Sequence, residues 1–523
     1  MIEHYLDRLA RTINENWDEP ALTDFYLTED GTAQDTSRGN HYTYGEMYME
    51  MLRLGELFKQ LGLQKGDHIA ICGANSAHWA IAYLAIAAYQ GVSVTILHTQ
   101  SPEDIARQIV FSDAKALFTD ELIWKEISAS YADEGNKLAF VISLADWSLM
   151  HAVPGVSRQL TDDQPKVNAT FTEASLRGQC HFSHGEPDDL AMICFTSGST
   201  GAAKGVMIPN RSINNVALNE IQGFPTSENN KYVSLLPFAH TYGMMTDMIG
   251  QLVLEKHIYI PQTVGSKQRL TVMSIVRPYA VVTVPIVLAS LYSSFKEQLP
   301  LVLGGKCEQF YIGGAALSHE LTEGIVAMGM PFSMGYGLSE TCFLISYIQS
   351  NEYRFKSAGR ICLGMTARIA PNGEILVKGE NVMLGYYKNP EATAQKIDAD
   401  GWLHTGDRGY LDEDGYLYVE GLLEQDMIVL PNGENIHPDN IESKINALPE
   451  VAESIVIARD GKLVAIVVVS GELSADSRKA LRLSILRSVN AQLPMYAQLY
   501  DIEWSASPLA RTAKQTLKRH LYK

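Results

Sequence analysis

The sequence predicts an α/β fold, in which a large amino-terminal domain with several subdomains and parallel-rich sheets is joined by a hinge to a small α+β domain. Two observations predict this arrangement. The chain has 523 residues, which is too long for a single hydrophobic core. In addition, short apolar runs alternate with helical stretches from about residue 42 to residue 119, as in parallel strands connected by crossover helices.

The predicted strands come in two groups. HIAICGA, VSVTIL and KALFTD form the first, and LAMICFT, KYVSLLP, AVVTVP and EQFYIGG form the second, each leading into a loop. The most apolar window, from His78 to Leu97, is interrupted by Gln90-Gly91 and ends in β-branched residues, so it predicts a helix followed by a strand rather than a membrane span. Folds of this kind bind ligands in the loops at strand ends.

After Gly401 the pattern changes to short, turn-rich strands, which predict an antiparallel subdomain that closes the large domain. We expect the large domain to span residues 1–421, the hinge 422–425 and the small domain 426–523. The small domain is predicted to contain, in order, the strand MIVL, a turn at Asn432-Gly433, a helix from about Pro438, a hairpin turning at Asp460-Gly461, and a helix beginning near Ser474.

Composition narrows the class of protein. The formal net charge is −18, and a field of that sign repels nucleic acids and anionic membrane surfaces. The six cysteines lack a C-x-x-C spacing, which predicts reduced thiols rather than a disulfide framework or a zinc site. The charged amino terminus has no apolar segment typical of a signal peptide. We therefore expect a cytoplasmic protein that acts on small molecules.

The loop after the strand LAMICF combines four hydroxyl side chains, glycines and one lysine within ten residues. The N–H groups and hydroxyls of such a loop bind phosphate oxygens, and Lys204 supplies a positive charge. The loop is not a Walker A loop, because Lys204 precedes a glycine instead of a serine or threonine. The predicted phosphate-binding residues are Thr196, Ser197, Gly198, Ser199, Thr200, Gly201 and Lys204.

This run, T-S-G-S-T-G-x-x-K-G, resembles the phosphate loop of the acyl-adenylate-forming superfamily of AMP-dependent synthetases and ligases. Four further motifs follow in the order and approximate spacing of that family, so the resemblance covers nearly the whole chain. They are Tyr336-Gly337-Leu338-Ser339-Glu340-Thr341, Gly385-Tyr386-Tyr387, Thr405-Gly406-Asp407 and Asn432-Gly433-Glu434-Asn435-Ile436.

The resemblance implies an enzyme, an acid-thiol ligase that uses ATP, Mg²⁺ and CoA. A substrate carboxylate attacks the α-phosphate, pyrophosphate leaves, and CoA then displaces AMP, with the enzyme supplying mainly positioning and charge neutralisation. In the family the small domain rotates between the two half-reactions. The wording of several segments is most similar to medium- and long-chain fatty acyl-CoA synthetases.

The nucleotide site can be assigned from these motifs. Tyr336 offers a flat face for a purine, and the backbone of Gly313-Gly314-Ala315 would approach the adenine closely. Asp407 lies in a tight loop, where its carboxylate can accept both ribose hydroxyls. The resemblance adds three further residues to this site, namely Gly337, Thr341 and Gly433.

The resemblance also implies the metal and acyl sites. Glu340 is expected to hold Mg²⁺ together with the phosphates, with the hydroxyl of Thr196 as a second contributor. His240 matches a family position beside the acyl carboxylate, although by itself it would be read as a structural histidine. The acyl pocket is expected behind three segments, which follow His240, Pro285 and Thr341.

Two departures from the family pattern concern the nucleotide. Leu422 follows Gly421 where the family usually has an arginine, so ribose binding would rest more on Asp407, with Arg408 either a substitute or a surface residue. The carboxy-terminal catalytic lysine of the family aligns with Thr516. Lys514 and Lys518 lie two residues to either side, and the sequence does not choose between them.

Three functions stay open at this point. The first is a stand-alone acyl-CoA ligase. The second is an enzyme with the same adenylation step that loads a separate acyl-carrier protein. The third is a nucleotide or acyl binder without ligase activity, which the missing arginine and the displaced lysine suggest.

Overall fold

The structure is a computed structural model. It describes residues 3–133, 138–152, 172–196, 203–223, 227–262, 265–313, 319–354, 356–422, 428–430, 434–436, 438–471, 474–505, 507–509 and 521–522.

Within these residues helices and strands alternate along the chain. The strands are β1 (Pro20–Phe25), β2 (His41–Thr43), β3 (His68–Cys72), β4 (Val92–Ile96), β5 (Ala116–Thr119), β6 (Phe140–Ser143), β7 (Leu149–Ala152), β8 (Leu190–Thr196), β9 (Lys204–Pro209), β10 (Lys231–Val233), β11 (His257–Pro261), β12 (Ala280–Thr283), β13 (Gln309–Ile312), β14 (Phe332–Tyr336), β15 (Ser346–Gln349), β16 (Ser357–Ile361), β17 (Met365–Ile369), β18 (Glu374–Gly379), β19 (Gly385–Tyr386), β20 (Leu403–Leu411), β21 (Tyr416–Leu422), β22 (Ile428–Val429), β23 (Asn435–Ile436), β24 (Val451–Arg459), β25 (Lys462–Val469) and β26 (Leu499–Trp504).

The α-helices are α1 (Tyr5–Glu15), α2 (Tyr44–Gln60), α3 (Ala77–Ala88), α4 (Pro102–Phe111), α5 (Glu121–Asp133), α6 (Glu173–Leu176), α7 (Asn210–Gly223), α8 (Thr241–Gly243), α9 (Gly250–Val253), α10 (Ser266–Val276), α11 (Pro285–Phe295), α12 (Leu299–Val302), α13 (His319–Ala327), α14 (Pro390–Lys396), α15 (Pro438–Asn446) and α16 (Ala475–Asn490). Shorter helical turns are a π-helix (Met244–Ile249) and the 3₁₀ turns Lys296–Gln298, Ser339–Thr341, Ser350–Glu352 and Met495–Ala497.

An eight-stranded sheet contains the first group of predicted strands. Its order is β19-β9-β8-β4-β3-β5-β6-β7, and the five strands from β8 to β6 are parallel. The window from His78 to Leu97 forms α3 and β4, as predicted, and α3 is buried on nearly every side, which explains its apolar composition. Within the described residues, no helix is long and apolar enough to cross a membrane.

A nine-stranded sheet has the order β12-β13-β14-β15-β16-β21-β20-β18-β17. Only β12, β13 and β14 are parallel, and antiparallel pairing starts with β15. The prediction that antiparallel structure begins after Gly401 is therefore wrong in position. The prediction of a separate antiparallel subdomain is also wrong, because β20 and β21 lie in the same sheet as the parallel strands. The intervening strands are short, so their alternation of apolar and polar residues is a weak signal.

A third, four-stranded sheet in the order β10-β11-β1-β2 joins segments far apart in sequence, since β1 pairs with β11 in parallel. Two large clusters of buried apolar side chains, together drawing on residues from Tyr5 to Leu417, fill the space between the sheets and their helices. This packing brings three parts of the large domain toward one another. They are the carboxyl end of β8, the carboxyl end of β14 and the segment of β20 that carries Asp407.

The carboxy-terminal unit has its own apolar core, built from residues between Ile428 and Trp504. Strands β24 and β25 form the predicted hairpin, and Asp460 and Gly461 at its turn have φ values of 48° and 73°, as in the type I′ turn that matches strand twist. Helix α16 begins after Ser474, whose hydroxyl accepts from the Ser477 N–H. The predicted fold class is confirmed, although the hinge residues lie outside the described part except for Leu422.

Candidate functional site

The two ends of the predicted phosphate loop lie side by side. Thr196 is the last residue of β8, Lys204 is the first of β9, and the two are partners in the antiparallel register. The Lys204 ammonium lies 5.0 Å from the centre of the Tyr386 ring, within the range of a cation–π contact. Ser197, Gly198, Ser199, Thr200 and Gly201 lie outside the described residues.

Tyr386 connects this loop to Glu340. Strand β19 pairs with β9 so that Tyr386 lies opposite Val206, and its phenol donates a 2.6 Å hydrogen bond to Oε1 of Glu340. The Glu340 carbonyl accepts from the Met383 N–H at 2.9 Å, which fixes the same segment from the backbone. Sequence reasoning identified the Gly385-Tyr386-Tyr387 motif but gave Tyr386 no task, because a contact across 46 residues has no local signal.

The surroundings of Glu340 suit a magnesium ion bound together with phosphates. The Tyr386 phenol donates to one carboxylate oxygen of Glu340. The second oxygen of that carboxylate is a hard ligand of the kind that Mg²⁺ prefers. Glu340 is connected to β8 through Tyr386, because β19, which carries Tyr386, pairs with β9, and β9 pairs with β8, the strand that ends in Thr196. Among the described residues no group of three or more His, Cys, Asp and Glu side chains could hold a metal without help from a ligand.

Tyr336 and Asp407 form a hydrogen-bonded pair in which Asp407 is buried and Tyr336 is half-buried. The Tyr336 phenol, at the end of β14, donates a 2.5 Å hydrogen bond to Oδ2 of Asp407. Burial raises the pKa of Asp407, and the hydrogen bond from Tyr336 and the positive charge of Lys396 oppose that rise. Burial and the neighbouring carboxylate also raise the pKa of Tyr336, so the phenol remains a neutral donor.

Asp407 lies within strand β20 and not in the tight loop that the sequence predicted, because the segment pairs with β18 and β21, and its own motif fixes it there. The Asp407 N–H donates to the Thr405 hydroxyl at 3.0 Å, and that hydroxyl donates to the Ile375 carbonyl at 2.7 Å. Gly406 has a φ of 80°, a conformation that side chains other than glycine rarely adopt. Lys396 donates to the Thr405 carbonyl at 3.0 Å, and sequence reasoning missed it because a lysine in the last turn of a helix is typical of a solvated surface.

Three predicted nucleotide-site residues have a structural task in the described contacts. A Cβ at Gly313 would lie 2.8 Å from the Tyr242 ring, and one at Gly337 would lie 1.9 Å from the Phe343 carbonyl oxygen, so both glycines allow close packing of the protein on itself. The Thr341 hydroxyl closes a turn by exchanging 3.0 Å hydrogen bonds with the backbone of Leu338.

Direct contact of these three residues with a nucleotide stays a prediction. The predicted residues that lie outside the described part of the chain are Gly314, Ala315, Gly433, Lys514 and Lys518.

His240 precedes the short helix α8 and is exposed to solvent. The surrounding protein lowers the pKa of His240, which favours the neutral ring. Two residues further on, the Tyr242 ring lies 5.1 Å from the Phe343 ring. The structure thus brings together two of the three segments that were expected to form the acyl pocket.

The position where the family resemblance expects an arginine lies beside Asp407, which is predicted to bind ribose. Leu422 is the register partner of Asp407 in the antiparallel pair of β20 and β21. Arg408 is exposed whereas Asp407 is buried, because consecutive residues of a strand point to opposite faces. Arg408 packs along Gly373 and therefore has a surface role, so it does not substitute for the missing arginine.

The fold and the site together define a class, an enzyme that binds a nucleoside phosphate at the ends of strands in an α/β sheet. Comparison with protein families gives a narrower result. The model of the AMP-binding enzyme family matches residues 9–387, and that of the AMP-binding enzyme C-terminal domain matches residues 425–523. The chain belongs to the AMP-binding enzyme family, which confirms the predicted adenylate-forming superfamily.

Similar proteins cover most of the chain. A long-chain-fatty-acid–CoA ligase of Mycobacterium bovis is 27% identical over 76% of this chain and 72% of its own length. The peroxisomal OPC-8:0-CoA ligase of Arabidopsis thaliana is 23% identical over 94% and 89%. An o-succinylbenzoate CoA synthetase from Bacillus subtilis, solved as a double mutant with a product analogue, has a TM-score of 0.75 at 23% identity and 98% and 97% coverage. This last likeness shows the fold.

Proposed function

We propose that this protein converts a carboxylic acid and ATP into an acyl-adenylate with release of pyrophosphate, and then transfers the acyl group to CoA. The observation that carries this proposal is the convergence of motifs far apart in sequence. The Lys204 ammonium and the Glu340 carboxylate both contact the Tyr386 side chain. Thr196 is the register partner of Lys204, and Tyr336, in the same motif as Glu340, bonds to Asp407. These contacts support one shared site for the loop ends, Glu340 and the Tyr336–Asp407 pair.

Each group has a task in the first half-reaction. A substrate carboxylate oxygen attacks the α-phosphorus and the bond to pyrophosphate breaks, so the protein must chiefly position the reactants and balance charge. Tyr336 occupies one acceptor site of the Asp407 carboxylate, and the remaining acceptor sites accept hydrogen bonds from the ribose hydroxyls. The ammonium of Lys204 balances negative charge on the phosphates. Mg²⁺ held by Glu340, with Thr196 as a second contributor, would neutralise charge on the phosphates.

In the second half-reaction the CoA sulfur attacks the acyl carbonyl carbon. A C–S bond forms, the bond from the acyl carbon to the AMP oxygen breaks, and the thiol proton is released. His240, with its lowered pKa, is a neutral polar group beside the acyl carboxylate. We place the two working parts of the chain at residues 1–421 and 426–523, with a hinge at 422–425 that lets the small domain rotate between the half-reactions.

The acid is proposed to be a medium- or long-chain fatty acid, and the protein to act in the cytoplasm. The names of two similar proteins, a long-chain-fatty-acid–CoA ligase and an OPC-8:0-CoA ligase, support an acid with an extended apolar chain. The pairing of Tyr242 with Phe343 supplies apolar surface next to His240.

Pyrophosphate release tests the proposal. The full chain is assayed with Mg-ATP and straight-chain acids from acetate to long-chain fatty acids, each with and without CoA. The catalytic lysine is assigned in the same assay with Lys514→Ala and Lys518→Ala, and we expect one of the two to abolish release. The proposal fails if no acid stimulates release although the protein binds ATP. That outcome would favour a nucleotide or acyl binder without ligase activity.

The acceptor is tested separately. Wild-type protein that has formed an acyl-adenylate is offered CoA or a phosphopantetheinylated acyl-carrier protein, and the thioester product is detected by mass spectrometry. Transfer to CoA is the expected result. Transfer to the carrier alone would keep the first half-reaction and replace the second.

A further inference from the structure

Side chains from distant parts of the chain hydrogen-bond to several peptide groups of the segment that leads into His240. Asn75 accepts from the Phe238 N–H at 2.9 Å and donates to the Leu236 carbonyl at 2.7 Å. The Thr95 hydroxyl donates to the Ala239 carbonyl at 3.0 Å. These side chains pair peptide groups that burial removes from water, and in doing so they fix the position of the loop.

Asp247 holds the beginning of the same segment. Its Oδ2 accepts from the N–H groups of Leu235 and Leu236 at 2.7 and 2.8 Å and from the Ser234 hydroxyl at 3.1 Å, while Oδ1 accepts from the Tyr232 phenol at 2.7 Å. Four donors thus converge on one fully buried carboxylate. Among the described residues Asp247 makes no ion pair, so these neutral donors compensate for the loss of water.

The place of Asp247 in the chain gives these bonds a further effect. It belongs to the π-helix Met244–Ile249, which follows His240, whereas its backbone donors precede His240. The carboxylate therefore ties the two sides of the loop together, with His240 between them. Within the loop the His240 N–H donates to the Pro237 carbonyl at 3.1 Å, and its own carbonyl accepts from Met244 at 2.8 Å. π-helical turns occur often at functional sites.

We propose that Asp247 is a positioning residue for the acid substrate, which acts by fixing the loop that presents the His240 imidazole. This inference rests on the proposed role of His240 beside the acyl carboxylate. Asp247 does not touch the reacting atoms. In an asparagine one amide oxygen must accept both backbone N–H groups without the negative charge, and the NH₂ group replaces the acceptor that faces the Tyr232 phenol, so the bonds that hold the loop become weaker.

Asp247→Asn in the full chain tests this role. We expect the KM for the acid to rise about tenfold or more, while the KM for ATP changes by less than about twofold, because only the acid is misplaced. Hydrogen exchange by mass spectrometry should show faster exchange of the Leu235 and Leu236 amides. The matched control is Tyr232→Phe, which removes a donor to the same carboxylate but leaves both backbone bonds intact and should not change the KM for the acid.

If Asp247→Asn does not fold, Thr95→Val and Thr95→Ser test whether the position of the loop before His240 affects binding of the acid. Valine removes the bond to the Ala239 carbonyl and should raise the KM for the acid, and serine should restore the wild-type value. The proposal is overturned if folded Asp247→Asn keeps both KM values, if it raises them equally, or if Thr95→Val behaves like wild type. Failure of the proposed function is distinguishable, because wild-type protein would then release no pyrophosphate, while the exchange experiment would still report on the loop.

Discussion

The Tyr336 phenol and the Asp407 carboxylate, 71 residues apart in sequence, share a 2.5 Å hydrogen bond. The bond joins the end of β14 to the segment of β20 that carries Asp407. Both groups are largely shielded from water. Hydrogen bonds to a charged acceptor in such surroundings are stronger than those on the surface. The pair therefore holds the carboxylate in one orientation before any nucleotide arrives.

Tyr336→Phe should weaken ATP binding. Loss of one hydrogen bond to a buried carboxylate costs about 1.5–3 kcal/mol, which corresponds to a rise in the KM for ATP of roughly tenfold to a hundredfold. Steady-state kinetics with ATP varied at saturating acid measures it. The control is Tyr410→Phe, an exposed tyrosine in the same strand as Asp407, which should behave like wild type. An unchanged KM for ATP in Tyr336→Phe would remove the pair from the nucleotide site.

Leu422→Arg should strengthen ATP binding. Position 422 is the register partner of Asp407, and the family resemblance expects an arginine there, whose guanidinium donates to ribose or phosphate oxygens. We expect the KM for ATP to fall by about tenfold, the value of one charge-assisted hydrogen bond. Leu422→Gln separates charge from size, and Arg408→Ala should leave the KM for ATP unchanged because that side chain faces away. A Leu422→Arg variant with weaker ATP binding would contradict the assignment.

Tyr386→Phe should raise the Mg²⁺ concentration needed for half-maximal activity. The phenol fixes one oxygen of Glu340, and without it the carboxylate must be ordered when the ion binds, at a cost of about 1 kcal/mol or several-fold in concentration. Activity is titrated with Mg²⁺ at constant ATP. Tyr387→Phe is the matched control, since that phenol donates instead to Asp113 at 2.9 Å. Equal Mg²⁺ requirements in both variants would argue against Glu340 as the ligand.

Glu220 should make the protein less stable as pH rises. Burial raises the pKa of Glu220 to about 8, the nearby Asp247 adds to the rise, and a hydrogen bond from Thr246 opposes it. In the unfolded chain the pKa returns to about 4.3, so between these values the native state binds more protons. Stability is then fully present below pH 4.3 and falls by up to about 1.4 kcal/mol per pH unit until pH 8.

Glu220→Gln removes this titration and keeps the shape of the side chain. The midpoint of thermal unfolding of wild-type protein, relative to that of the variant, should fall between pH 5 and pH 8 and become constant above. Parallel curves for the two proteins would mean that Glu220 is already ionised in the folded state.

The sequence predicted the parts of the site that depend on local patterns. The strand before the phosphate loop and the hairpin at Asp460-Gly461 are encoded by residues near one another, and the structure contains both. The expected order of motifs was also sufficient to place Tyr336 and Asp407 in a common site.

The remaining features depend on contacts between distant segments. The hydrogen bond from Tyr386 to Glu340, the position of Lys396 and the four donors around Asp247 have no local signature, because an isolated acid or lysine resembles any solvated residue. The π-helix and the mixed nine-stranded sheet are likewise decided by packing. Arg408 was open to two interpretations until the alternation along β20 placed it on the exposed face.

Product stoichiometry tests the proposed reaction, in which an acyl-adenylate forms and its acyl group is transferred to CoA. Wild-type protein, Mg-ATP, CoA and the acid that most stimulates pyrophosphate release are incubated together, and AMP, pyrophosphate and acyl-CoA are quantified by mass spectrometry. We expect equal amounts of all three products, dependent on the acid and lost in Asp407→Ala. Formation of ADP and phosphate, or consumption of ATP that does not require the acid, would contradict it.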